Sequence, residues 1–129
     1  IDHFKAVNDT YGHATGDVVI KELGEILRGV KRDTDIVARF GGEEFCVLCE
    51  ETEVEGARLL AERIREELKN TIFQTEIGRL NVTASLGVAT FYGDDANEMK
   101  DGTALFEASD KALYVAKHSG RDQVSISAH

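Results

Sequence analysis

Apolar residues recur along this chain with two different periods. From Asp17 to Val30, the residues Val19, Leu23, Ile26, Leu27 and Val30 share one helical face, with Asp17 in cap position ahead of them. Glu53 to Lys69 repeats the pattern through Ala57, Leu60, Ala61, Ile64 and Leu68. Gly102 to His118 repeats it again through Leu105, Ala108, Ala112, Leu113 and Ala116. Ile36 to Phe40 and Phe45 to Glu50 read instead as strands on either side of Gly41-Gly42, which predicts a β-hairpin. Thr71 to Phe91 is rich in β-formers, most clearly from Asn81 onward, and Val124 to Ser127 suits a short closing strand. Helices alternating with strands and hairpins predict an α+β fold, a central and mainly antiparallel sheet flanked by helices.

The 129 residues contain no proline, no low-complexity run and no linker-like stretch, so residues 1–129 read as a single domain. The segment Ile1-Asp2-His3-Phe4-Lys5 enters directly at a strand end or loop. A sheet lacking a central strand leaves backbone groups unpaired, so we expect the first strand to be missing from this sequence and the domain to be truncated at its N-terminus.

Composition narrows the partners. Acidic residues outnumber basic ones 24 to 15, a formal charge of -9, which argues against nucleic acid as a ligand. A phosphorylated small molecule remains compatible, because a metal ion and a few placed cations neutralise phosphates locally. With 42% hydrophobic and 30% charged residues, the chain is neither disordered nor membrane-embedded. No apolar run approaches the length of a membrane span and no segment looks like a signal peptide. We expect a cytoplasmic domain without membrane contact of its own, whatever anchors its parent outside this segment.

Cys46 and Cys49 spell C-x-x-C, compatible with a redox dithiol or half a zinc site. They lie in a run that reads as a buried strand, where residues three apart point to opposite faces, and no second pair completes a zinc site. Core thiols are the better reading.

The hairpin carries the chemistry. Gly41 and Gly42 permit a tight turn and close approach of a ligand, and Glu43 and Glu44 follow at its mouth. Carboxylates of this kind suit Mg²⁺, which takes one or two of them together with substrate phosphates. Taken alone, Gly-Gly-Glu-Glu favours a solvated acidic turn.

Three other segments accompany it: the run from Ile1 to Asp17, the Arg32-Asp33-Thr34-Asp35 string, and Asp110 to Asp122 at the end of the last helix. In order and spacing these segments and the Gly41–Phe45 hairpin resemble the GGDEF-type diguanylate cyclases, here with the Gly-Gly-Glu-Glu-Phe variant. The resemblance covers most of the chain. It implies the fold shared by class III nucleotide cyclases and polymerase palms. It also implies condensation of two GTP into cyclic di-GMP with release of pyrophosphate, Mg²⁺ or Mn²⁺ as cofactor, and a homodimer bringing two sites face to face. An attached sensory or receiver module is expected upstream.

The roles implied are these. Glu43 matches a metal ligand that also helps deprotonate the 3′-hydroxyl, and Glu44 the adjacent acid that activity requires. Gly41 and Gly42 leave room for ribose and α-phosphate, and the Ile1 carbonyl faces the second metal. Asn8 and Asp17 match the readers of guanine, whose N1 and N2 hydrogens an ionised Asp accepts and adenine lacks. Read as residues alone, Asp17 is a helix cap and Asn8 a helix or turn residue. His3, Phe4 and Lys5 would turn backbone N–H groups toward the β- and γ-phosphates at the start of a short helix. Lys117 and Arg121 match cations gripping the terminal phosphates, although Gly120 is expected to end the helix between them, and by themselves they are ordinary C-terminal helix cations. Arg32 and Asp35 match the inhibitory product site, where Arg stacks on and bonds guanine, with Arg63 as a secondary contact. The bland reading of Arg32 and Asp35 is a surface ion pair.

One departure bears on activity. The family's pattern has an aspartate immediately before the position of Ile1, and Asp2 matches its second aspartate. From the residues given, Glu43 supplies only part of a metal site, so weak or no turnover is expected of these 129 residues alone. A catalytically silent receptor for cyclic di-GMP or GTP is the competing reading, although such members tend to lose the hairpin carboxylates. An adenylate-type cyclase is disfavoured by Asn8 and Asp17.

Overall fold

The computed structural model describes residues 1–91 and 102–127. In chain order the elements are α1 (Phe4–Tyr11), α2 (His13–Val30), β1 (Ile36–Phe40), β2 (Glu44–Leu48), α3 (Val54–Lys69), β3 (Phe73–Thr75), β4 (Gly78–Leu80), β5 (Leu86–Val88), α4 (Thr103–His118) and β6 (Val124–Ile126).

The apolar faces of α2 and α3 read from the sequence form the core. Val19, Leu23, Ile26 and Leu27 of α2 meet Ile64 and Leu68 of α3, with Val7, Phe73, Leu80, Val82 and Ala84 closing around them. Val19 and Leu68 are wholly buried. Full burial of such a side chain contributes roughly 1.5–3 kcal/mol, so this seam is the main source of stability.

The class is α+β, as the patterning implies. The strands pair in twos: β1 with β2 and β3 with β4 antiparallel, β5 with β6 parallel. The expected β-rich stretch from Thr71 to Phe91 is interrupted. Residues 81–85 carry no ladder, and Thr83 instead accepts a hydrogen bond at 2.9 Å from the Asp2 nitrogen. Close packing joins β5 to α4, because a Cβ on Gly87 would fall 2.1 Å from the Ser109 carbonyl oxygen and 2.3 Å from the Leu113 nitrogen.

The expectation that Asp17 caps α2 is corrected. The helix begins at His13, one turn earlier, and its N-cap is Gly12 with φ 94°. That left-handed glycine separates α1 from α2 while leaving only one residue between them, a conformation other side chains resist. Asp17 therefore sits inside the helix with its side chain exposed. Among the described residues, no helix is long and apolar enough to cross a membrane.

Candidate functional site

The hairpin register pairs Phe40 with Glu44, which leaves Gly41, Gly42 and Glu43 as a three-residue loop. Both glycines are left-handed, with φ 48° and 35°, and a Cβ on either would meet nothing within 4 Å. Backbone conformation, not crowding within the chain, asks for glycine here. Arg39 clamps the tip: its Nε and Nη2 donate to the Gly42 carbonyl at 3.0 and 2.7 Å. Glu43 thus lies in the loop and Glu44 on the first strand position, both presented at the tip.

Residues far apart in sequence meet this tip. The Ile1 nitrogen donates to the Glu43 carbonyl at 3.4 Å. Lys117, at the end of α4, places its Nζ 4.0 Å from a Glu44 carboxylate oxygen. Hairpin, chain start and α4 therefore converge on one face. Among the described residues no three His, Cys, Asp or Glu side chains form a metal cage. The Glu43 and Glu44 carboxylates are the hard oxygen donors that the tip carries, a donor type that suits a divalent cation completed by substrate phosphates better than a closed structural site.

Next to them, His3 takes the left-handed conformation (φ 55°) and α1 starts at Phe4. The first helical bond runs from the Val7 nitrogen to the His3 carbonyl at 3.1 Å. The N–H groups of His3, Phe4 and Lys5 have no acceptor among the described residues, as at any uncapped helix start. At the other edge α4 ends at His118, before Gly120. The Arg121 nitrogen returns to the Ala116 carbonyl at 3.0 Å, and Arg121 and Asp122 are both left-handed, with φ 61° and 46°.

Asn8 and Asp17 lie on adjacent helices joined by a close contact at Gly16. A Cβ on Gly16 would stand 1.9 Å from Asn8 Oδ1 and 3.1 Å from the Phe4 ring. Asn8 Oδ1 is buried with no hydrogen-bond partner among the described residues. Leaving such an atom unpaired costs about 1–3 kcal/mol. Because Gly12 does the capping, the cap explanation for Asp17 is gone, and its carboxylate is unengaged among the described residues.

Arg32 and Asp35 form a locked pair at the far end of the hairpin from its tip, roughly 20 Å along the strand. Arg32 Nη2 donates to Asp35 Oδ1 at 2.9 Å and Nε reaches both carboxylate oxygens at 3.3 Å, while the Arg32 nitrogen donates to Oδ2 at 2.8 Å. Nη2 also donates to Thr52 Oγ1. These bonds, outweighing burial, hold the Asp35 carboxyl below the usual carboxylate range. The Asp35 side chain is fully buried, whereas half of the Arg32 side chain faces solvent. Arg63 lines a groove between α2 and α3 with Glu22, Glu25, Val30 and Glu67, and among the described residues no hydrogen bond joins it to Arg32 or Asp35.

Cys46 and Cys49 are free and half-buried. Burial pushes both thiols up, with the neighbouring Asp35 carboxylate adding to the effect at Cys49, so neither is a ready thiolate. A concavity of 480 Å³ between α2 and the hairpin, with Lys21, Arg28, Val37 and Phe45 in its walls, contains none of the expected site residues.

Sequence reading missed Arg39, Gly16 and the partners of Asp2. Arg39 carried a local signal, a cation two positions before the glycine pair. The partners of Asp2 lie 81 to 120 residues away and left none.

Comparison with known proteins places the chain. The family model for "Diguanylate cyclase, GGDEF domain" matches residues 1–123. Diguanylate cyclase A of Treponema denticola is 40% identical over 127 residues, 98% of this chain and 33% of that protein. The cyclic di-GMP phosphodiesterase NbdA of Pseudomonas aeruginosa is also 40% identical over 127 residues, 98% of this chain and 16% of that protein. Among solved structures, the active GGEEF domain of a diguanylate cyclase from Vibrio cholerae superposes with a TM-score of 0.87 at 35% identity, covering 100% of this chain and 79% of that one. The chain thus spans a third or less of the two curated relatives named.

Proposed function

The chain belongs to the GGDEF family of diguanylate cyclase domains, and from that membership and the site geometry we propose that its parent condenses two GTP into cyclic di-GMP. The observation that carries the proposal is the convergence of Glu43, Glu44, Ile1 and Lys117 at the hairpin tip. A silent receptor has no need of paired carboxylates there, and a GGEEF hairpin occurs in the active Vibrio cholerae domain.

Each domain binds one GTP, and two copies face each other as a homodimer. Asn8 and Asp17 read the guanine edge, with Asp17 accepting from N1 and N2. The N–H groups of His3, Phe4 and Lys5 hold the β- and γ-phosphates together with Lys117 and Arg121. Lys117, only loosely paired with Glu44 at 4.0 Å, is free to turn to phosphate. Gly41 and Gly42 leave the space beyond the tip to ribose and α-phosphate. The 3′-oxygen of one GTP forms a bond to the α-phosphorus of the other, the bond from that phosphorus to the pyrophosphate oxygen breaks, and Glu43 takes the hydroxyl proton. A second such step closes the ring, so two pyrophosphates leave per product. Bound Mg²⁺ or Mn²⁺, held by Glu43 and the Ile1 carbonyl, would stabilise charge on the α-phosphate and the leaving group.

Product inhibition is assigned to the Arg32–Asp35 pair. Asp35 fixes the guanidinium, whose open face is left to stack on and bond a guanine of cyclic di-GMP. Arg63 is a secondary contact only if the product reaches across to α3. An upstream sensory or receiver module would set dimerisation, and a GTP substrate fits a cytoplasmic domain.

A second reading, a GTP- or product-binding regulatory domain, is favoured by the equal identity to a protein named for cyclic di-GMP breakdown. Pyrophosphate release separates the two. The cyclase reading expects one pyrophosphate per GTP consumed and none from ATP, whereas nucleotide binding without release supports the regulatory reading.

A further inference from the structure

One buried carboxylate links the two sides of the polyphosphate grip. Asp2 is 6% exposed. Its Oδ1 accepts from Ser85 Oγ at 2.6 Å, and its Oδ2 accepts from Thr83 Oγ1 at 2.8 Å and from the Asp122 nitrogen at 3.0 Å. The Asp2 nitrogen donates to the Thr83 carbonyl, so backbone and side chain are both pinned to residues 83–85.

What Asp2 holds is unusual. Arg121 and Asp122 are successive non-glycine residues in the left-handed region, a conformation that persists only where its surroundings impose it. Besides the bond from Gln123 Nε2 to the Arg121 carbonyl at 3.1 Å, three sets of contacts impose it here. The Arg121 nitrogen bonds the Ala116 carbonyl, and the Asp122 carboxylate takes Arg65 Nη1 and Lys69 Nζ, each at 2.8 Å. The third is the Asp122 N–H on Asp2. On its other side Asp2 is bonded directly to His3, the left-handed residue that opens α1.

We propose that Asp2 is a positioning residue for the terminal phosphates: it sets the Arg121 turn against the start of α1 so that both grip one polyphosphate. The inference rests on the phosphate roles given above to Arg121 and to His3–Lys5. It assigns to the second acid of the opening motif a part in substrate geometry through Arg121, without contact with the substrate itself.

The test compares affinities of the full-length protein for 3′-deoxy-GTP, which lacks the attacking hydroxyl, and for GMP. Asp2→Ala is expected to weaken 3′-deoxy-GTP about tenfold, in line with loss of a charge-assisted hydrogen bond, and GMP less than about twofold. Asp2→Asn should restore most of the preference, because its amide oxygen still accepts from the Asp122 N–H and its NH₂ can donate to Ser85 Oγ. In an Arg121→Ala background, Asp2→Ala should add nothing. If Asp2→Ala does not fold, Thr83→Val with Ser85→Ala, which keeps the carboxylate but frees its orientation, should move the ratio in the same direction by a smaller factor. Equal losses for both nucleotides, or an unchanged ratio in the variants that fold, overturn the inference. A parent without preference for the triphosphate overturns instead the phosphate grip on which it rests.

Discussion

The Arg39 guanidinium donates two hydrogen bonds to the carbonyl of Gly42, at 3.0 and 2.7 Å, and so braces the hairpin tip that presents Glu43 and Glu44. The strand supplies the cation and the loop the acceptor, three residues away. A left-handed Gly-Gly loop is otherwise among the least constrained segments a chain can make.

Arg39→Ala should therefore lower kcat about tenfold or more while barely moving the melting temperature, since the bonds are exposed and small displacements at a reacting centre are costly. Arg39→Lys should recover only part of the loss, because an ammonium cannot reproduce the fork. Steady-state kinetics beside thermal melts would check this. A fall in stability matching the fall in activity would show a scaffold role instead.

Gly16→Ala tests the guanine site proposed at Asn8 and Asp17. The added methyl cannot fit beside Asn8 Oδ1 at 1.9 Å, so Asn8 must move, and Phe4 with it. Overpacking of this kind costs about 1–3 kcal/mol. GTP affinity should fall about tenfold in the fraction that remains folded, consistent with loss of one polar contact in a buried reader. Calorimetric titration decides it: unchanged GTP affinity in a folded Gly16→Ala protein would remove Asn8 from the site.

At the other end of the hairpin, Arg32→Ala should relieve inhibition by cyclic di-GMP and leave initial turnover intact, because that pair lies roughly 20 Å from the tip. Titrating product against initial rate is the direct check. Inhibition as strong as in the parent would contradict the assignment.

Asp35 also ties stability to pH. Hydrogen bonds from Arg32 hold its folded pKa below the ordinary value, although burial opposes them. A depressed carboxyl contributes stability above its unfolded pKa, about 3.9, and loses that contribution as pH falls through the lower folded value. Stability should hold from about pH 5 to 8 on this account and decline below about pH 4. Asp35→Asn should be less stable at neutral pH and show a shallower acid limb in denaturant titrations. An acid limb as steep as the parent's would assign the pH dependence to other carboxylates.

Much of this was legible in the sequence, for local reasons. The faces of α2 and α3 follow from the spacing of Leu23, Ile26, Leu27, Ile64 and Leu68, and all five are buried. The hairpin followed from its glycines. The start of α2 was misplaced because Asp17 is a good cap by type, while the break is made by Gly12 at φ 94°, which residue type alone does not reveal. Ladder breaks between Thr71 and Phe91 depend on what residues 81–85 meet, and Thr83 meets Asp2 from the other end of the chain. The site shows the same division. Each motif was visible by itself, but the approach of Lys117 to Glu44 and of Ile1 to Glu43 is tertiary.

The central claim is that the carboxylates at the hairpin tip serve GTP condensation. Chromatography of the products made by the full-length protein from GTP with Mg²⁺ or Mn²⁺, beside Glu44→Gln, tests it most directly. The account predicts cyclic di-GMP from GTP, nothing from ATP, and no product from the variant. GTP left untouched by the parent under dimerising conditions would contradict it.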